Sequence, residues 1–293
     1  MSEQQPDPRP IGIFDSGVGG LTVLQALCRR LPAESFIYLG DTARLPYGSK
    51  SAATVQRYAL NAAGTLVAQD VKLLVVACNT ASAQALPQLV DALPLPVLGV
   101  VEPGVRAALA TGAHRVGIIG TEGTIRSGAY QANLVRLAPK VSVQAVACPL
   151  FVPLAEEGWW DHPVTDAVAR HYLQPLLDWG VEAIILACTH YPLLLPSLSR
   201  VAGPGVKLVD SASAVADAVV ARHSRLLRRT LGKGSVRLQL SDASASFLRV
   251  AAAILGSPSS SVELVDIEQA PRPPLLTTVA GRASSLRQES HET

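Results

Sequence analysis

Short apolar runs alternate with amphipathic stretches along most of the chain, and each run ends in a polar or glycine-rich loop. The segments 11–14 (IGIF), 35–40 (SFIYLG), 72–77 (KLLVVA) and 96–101 (PVLGVV) are apolar at successive positions, as strands buried on both faces are. Between them the apolar residues recur at helical spacing. The loop 15–20 (DSGVGG) leads into a helix through about Arg30, and Ser49 or Ser51 can cap another that runs to about Gln69. The cycle restarts at 115–120 (RVGIIG) and continues through 142–147 (SVQAVA) and 182–187 (EAIILA). Such alternation predicts an α/β fold with mainly parallel sheets, covered by helices on each side.

The restart is itself a pattern. IGIFDSG and VGIIGTEG lie about 105 residues apart, and VVACNT and ILACTH about 110 apart. Two matched features at nearly one offset predict two similar α/β halves. We expect a first domain from 1–100 plus 208–269 and a second from 101–207. A helix over about 211–230 and weaker strand–helix–strand signals to about Asp266 are expected to complete the first half's sheet. The segment 270–293 is rich in Pro, Ser and charge without a period, and reads as a flexible tail.

Composition narrows the function classes. At 48% hydrophobic and 16% charged, 293 residues are enough for substantial cores and too apolar for a disordered chain. A net charge of +2 gives no reason to expect a nucleic-acid partner, and the basic cluster 222–229 (RHSRLLRR) reads as the solvated face of one helix. No window reaches about 18 uninterrupted apolar residues, so no membrane span is expected. The polar, Pro-rich start is unlike a signal peptide. Cys28, Cys78, Cys148 and Cys188 are scattered, without CxxC or metal-ligand spacing. That usage points to a reducing cytoplasm, with neither a disulfide framework nor a metal.

Ligands of open α/β sheets bind beyond the carboxyl ends of the strands, where DSGVGG, DTARLPYGS, CNTAS, GTEGT and CTHYP all fall. DSGVGG lacks both GK[ST] and G-x-G-x-x-G, so it reads as a turn whose N–H groups can hold a carboxylate. Asp15 there is a helix cap or a carboxylate supporting the site. Cys78 and Cys188 each follow the last apolar residue of a strand and precede hydrogen-bonding side chains. A helix start expected directly after each would lower the thiol pKa from about 8.5. Cys28 and Cys148 lack that setting and read as structural. His190 reads as a group that tunes Cys188 or relays its proton, because Cys–His nucleophile pairs usually join separate segments. Thiols at equivalent ends of two halves suit acid and base on opposite faces of one carbon. That reaction is racemisation, which needs no metal or cofactor.

The blocks GIFDSGVGGLTV, YLGDTARLPYGSKS, VVACNTASA, IIGTEGTIRSGAY, CPLFVPLAEEG, LACTHYPLL and DSASAVA resemble, in order, those of glutamate racemases in the aspartate/glutamate racemase family. The resemblance covers about 11–266. It implies two α/β domains related by a pseudo-twofold axis, with the active site in the cleft between them. It implies cofactor-independent interconversion of L- and D-glutamate, supplying D-glutamate for peptidoglycan, by an enzyme that is often a homodimer. By the same resemblance, Cys78 exchanges the α-proton with the D enantiomer and Cys188 with the L enantiomer. Substrate binding is implied for Asp15 and Ser16, Tyr47 and Gly48, Asn79 and Thr80, Thr124, and Thr189 and His190. Asp15, Asp41, Glu156 and His190 are implied to assist the thiols. Aspartate as substrate, and a binding protein without catalysis, remain alternatives at this level.

Overall fold

The computed structural model describes residues 7–228, 233–256 and 262–268, so the tail expected at 270–293 lies outside the described residues. β1 (Ile11–Asp15), α1 (Leu21–Arg30), β2 (Phe36–Gly40), α2 (Ala52–Val67), β3 (Leu73–Val76), α3 (Asn79–Ala92) and β4 (Val97–Gly99) alternate through the first part. α4 (Val101–Ala110) leads to β5 (Arg115–Gly120), α5 (Glu122–Arg126), α6 (Ala129–Leu137) and β6 (Ser142–Ala147). Then come α7 (Phe151–Glu156), α8 (Pro163–Asp178), β7 (Ala183–Ala187), α9 (Leu195–Ala202) and β8 (Lys207–Val209). The last elements among the described residues are α10 (Ala212–His223), β9 (Val236–Leu240), α11 (Ala245–Leu255) and β10 (Val262–Leu264).

All strand pairs are parallel. One sheet has the order β10-β9-β2-β1-β3-β4 and the other β6-β5-β7-β8. Adding four to each strand number turns β2-β1-β3-β4 into β6-β5-β7-β8, so the halves share one topology. β9 pairs with β2 and extends the first sheet. β8 crosses the expected boundary at 208: all three of its residues pair with β7, and the second sheet runs through Val209.

The central strands β1, β2, β3 and β7 are buried on both faces. Ile11 and Ile13 pack with α1 and α10, whereas Phe14 packs with α2 and α3. In the second half Ile184 and Leu186 face α8 and α9, while Ile185 and Ala187 face α4 and α6. This period-two division lets continuous apolar runs serve two helical layers. Ser51 caps α2, its hydroxyl accepting from Thr54 N at 3.3 Å.

The described part of the basic cluster, 222–228, does not share one helix face, and Arg229 lies outside the described residues. α10 ends at His223, a single 3-10 turn follows, and Arg222 turns to Glu102 at 2.8 Å. Arg228 instead donates from its side chain to the Pro8 carbonyl and from its main chain to Glu34. Tertiary partners, not helical period, distribute these charges. Among the described residues no helix is long and apolar enough to cross a membrane.

Candidate active site

Cys78 follows β3 by two residues and caps α3. Its Sγ accepts from Ala81 N at 3.4 Å and donates to Ser16 Oγ at 3.5 Å. The helix start is where the sequence places it, but the expected lowering of the thiol pKa is not found. Burial, reinforced by the negative charge of Asp15, pushes Cys78 up to about 12, outweighing the hydrogen bonds it makes with Ser16 and Ala81. Desolvation of a thiolate here exceeds what one helix N-terminus returns.

Cys188 directly follows β7, and its surroundings differ. No α-helix begins beside it: Tyr191–Leu194 forms a 3-10 turn, closed by Tyr191 N to Cys188 O and Leu193 N to His190 O, both 3.1 Å. Pro192 has no N–H to continue the ladder, and α9 starts only at Leu195. His190 Nδ1 lies 3.9 Å from Cys188 Sγ, and Nε2 lies 3.1 Å from Glu156 Oε1 at the end of α7. Burial opposes the imidazolium, but the bonds to Cys188 and Glu156 prevail and lift His190 to about 10. Arg249 of α11 donates to the Glu156 carbonyl at 3.2 Å.

Asp15 does not cap α1 as its N-cap residue, which is Gly20, but holds the turn that precedes it. Its Oδ2 accepts from Gly17 N at 3.1 Å and Gly20 N at 2.9 Å, closing the turn before α1. Its Oδ1 accepts from Thr189 Oγ1 at 3.4 Å, linking the two halves. Burial raises the Asp15 pKa against the pull of His190 and the turn's N–H groups. Asp41, also fully buried, accepts from Arg44 Nε at 2.7 Å, from Ser241 Oγ at 3.1 Å and from the Tyr47 hydroxyl. Its place is behind Tyr47.

Ser16, Tyr47, Gly48, Cys78, Asn79, Thr80, Cys188, Thr189 and His190 line one cavity, together with Leu45, Pro46, Thr121 and Val152. Asp15, Asp41, Thr124 and Glu156 stand one layer behind that wall. The cavity is tight, about 20 Å³, room for a single water. Glycines permit this closeness. A Cβ on Gly48 would lie 2.4 Å from Thr121 Cβ, and one on Gly19 would lie 2.4 Å from Thr189 Oγ1. Among the described residues no group of three or more His, Cys, Asp or Glu could hold a metal ion.

A family model described as Asp/Glu/Hydantoin racemase matches residues 11–219. The chain belongs to the Asp/Glu/hydantoin racemase family. It is an enzyme of the isomerase class, and its relatives by sequence and by fold are glutamate racemases. The glutamate racemase of Geobacter metallireducens is 53% identical over 263 residues, covering 89% of this chain and 97% of the relative. The structure of glutamate racemase from Francisella tularensis, in complex with D-glutamate, matches with a TM-score of 0.84 at 37% identity. It covers 89% of this chain and 99% of that one. That from Thermus thermophilus, in complex with beta-chloro-D-alanine, matches with a TM-score of 0.80 at 48% identity, again over 89% and 99%.

Two polar residues of this racemase site escape a reading of the sequence. Thr121 caps α5, and its hydroxyl forms a ring with Thr80 at 3.0 Å and Thr124 at 3.0 Å, closed by Thr80 to Thr124 at 3.1 Å. The T-x-x-T spacing in GTEGT was an available signal for the cap. Tyr130, in α6, donates to Asn79 Oδ1 from a fully buried position. No local signal marks it, because its partner is in the other half of the chain.

Proposed function

We propose that this enzyme interconverts L- and D-glutamate without a cofactor, with Cys78 and Cys188 as the two proton carriers. One observation carries the reading: two buried thiols, delivered by equivalent strand ends of separate sheets, line the same narrow cavity. One sulfur, as thiolate, takes the α-proton, and the C–H electron pair stays on carbon as a carbanion conjugated with the carboxylate. The other thiol gives its proton to the opposite face. The first sulfur is then a thiol and the second a thiolate, so the enzyme is set for the reverse direction.

Cys78, held protonated by burial, serves as the acid when the L enantiomer arrives, and Cys188 takes the proton with His190 as its relay. Substrate ammonium near Cys78 offsets the desolvation that favours the thiol there. Ser16, Tyr47, Asn79, Thr80 and Thr189 offer donors for the two carboxylates of glutamate. The buried Asn79 Nδ2, without a hydrogen-bond partner among the described residues, supports an anionic ligand. Room for one water means that the two halves part to admit substrate and close over it, excluding solvent from the carbanion. The relatives' activity supports glutamate as substrate; supply of D-glutamate for peptidoglycan rests on the resemblance of the sequence blocks alone. Four free cysteines are in keeping with a cytoplasmic setting.

Exchange of the glutamate α-proton in D2O, followed by proton NMR, tests the mechanism. Wild type washes deuterium into both enantiomers. Cys78→Ala and Cys188→Ala each lose racemisation by about 10³-fold or more. Wild-type racemisation rates in either variant sink the two-thiol mechanism.

A further inference from the structure

We propose that Tyr130 is a positioning residue: its hydroxyl turns the Asn79 amide so that Nδ2 donates into the cavity, toward a substrate carboxylate. The inference rests on the glutamate reading above and names a residue which that reading does not use. Asn79 is the first residue of α3, beside Cys78, and lines the cavity. Its Oδ1 accepts from the Tyr130 hydroxyl, while its Nδ2 is buried without a partner among the described residues.

An amide presents either its oxygen or its nitrogen to a ligand, and its surroundings choose. Rotated by half a turn, Asn79 would donate to the phenol oxygen and aim Oδ1 at the carboxylate. The Tyr130 O–H, fully buried in α6, would lose the acceptor it now has. A donor orphaned in a dry core is costly, whereas a donor aimed into a cavity is satisfied by whatever enters. Burial also pushes the phenol pKa upward, so Tyr130 keeps its proton across the working range. The preference therefore has one direction: oxygen inward, N–H2 outward. Tyr130 comes from the second half and Asn79 from the first, so the amide is oriented when the halves meet. Thr80, the next residue, is held in the same way by Thr121 and Thr124.

Tyr130→Phe deletes one oxygen and keeps the ring. KM for both enantiomers is expected to rise roughly tenfold with kcat changed less than about twofold, the pattern of lost ground-state binding. In an Asn79→Ala background the same change should add nothing, because its target is gone. An unchanged KM, or a Tyr130→Phe effect that adds fully to Asn79→Ala, overturns the assignment. Asn79→Asp, with Tyr130 intact, gives a second reading. Tyr130 then holds one carboxylate oxygen and the other faces the substrate, so KM should rise above that of Asn79→Ala; an equal or lower KM overturns the proposal. Wild-type α-proton exchange, run alongside, separates the two levels. Its absence overturns the functional reading and this inference together; its presence with an unchanged Tyr130→Phe KM overturns the inference alone.

Discussion

The loops that carry Cys78 and Cys188 begin alike and end differently. Each thiol follows the third strand of its half, β3 or β7, and each is buried. Cys78 meets neutral groups, the Ser16 hydroxyl and the Ala81 N–H. Cys188 meets an imidazole backed by a carboxylate. The divergence is set two residues on. Thr80 enters a ring of hydroxyls, whereas His190, at the equivalent place, joins Cys188 to Glu156. One topology has thus produced a thiol whose pKa burial pushes up and another that sits beside an imidazole backed by a carboxylate. A chiral substrate presents unlike groups to the two sides, and unlike loops suit it.

The largest effect that would break this comparison is expected at His190. His190→Asn should cut exchange of the L-glutamate α-proton in D2O by about 10²- to 10³-fold and spare D-glutamate exchange more. Equal losses from both enantiomers would show that the two thiols do not differ as described. On the other side, Gly48→Ala drives a methyl against Thr121, whose hydroxyl holds Thr80. Overpacking of this kind costs about 1–3 kcal/mol. Because the clash lies between the halves, kcat/KM should fall about 10- to 100-fold while the melting temperature changes little.

Glu156→Gln sharpens the Cys188 side with a smaller effect, a rate loss of about tenfold. Removing the carboxylate lowers the His190 pKa from about 10, which NMR titration of the imidazole reads directly. The same shift predicts a pH dependence of stability. Folded His190 keeps its proton up to about 10, while the unfolded chain releases it near 6.5. Its contribution is therefore complete below about 6.5 and lost as the pH rises through about 10. Urea unfolding across that window should show stability falling with pH in wild type, less steeply in Glu156→Gln. A parallel fall in both would remove Glu156 from the account.

Much of the fold was legible in the chain. Strands buried on both faces, such as 73–76 and 183–187, announce themselves as continuous apolar runs, and Ser51 marks a helix start by its own chemistry. The repeated Ala-Cys ending of β3 and β7 pointed to one cavity. Less legible were features made by distant partners. Within 222–228, Arg222 at the end of α10 pairs with Glu102, whereas Arg228, beyond the helix, bonds Glu34 through its main chain and Pro8 through its side chain. Thr121 and Tyr130 enter the site only by meeting residues of the first half. The thiol of Cys78 has the helix start that should acidify it, yet burial reverses the sign.

The sequence by itself determined the order of the main strands and helices, the Ser51 cap, and the two points where a thiol ends a strand. Periodicity, capping and turn chemistry act over a few neighbouring residues, so a linear reading reaches them. Tertiary structure alone decided that burial raises the Cys78 pKa, that Cys188 meets an imidazole, and which way Asn79 points. Desolvation and hydrogen-bond partnership depend on atoms that are distant along the chain and adjacent only after the two sheets have packed together.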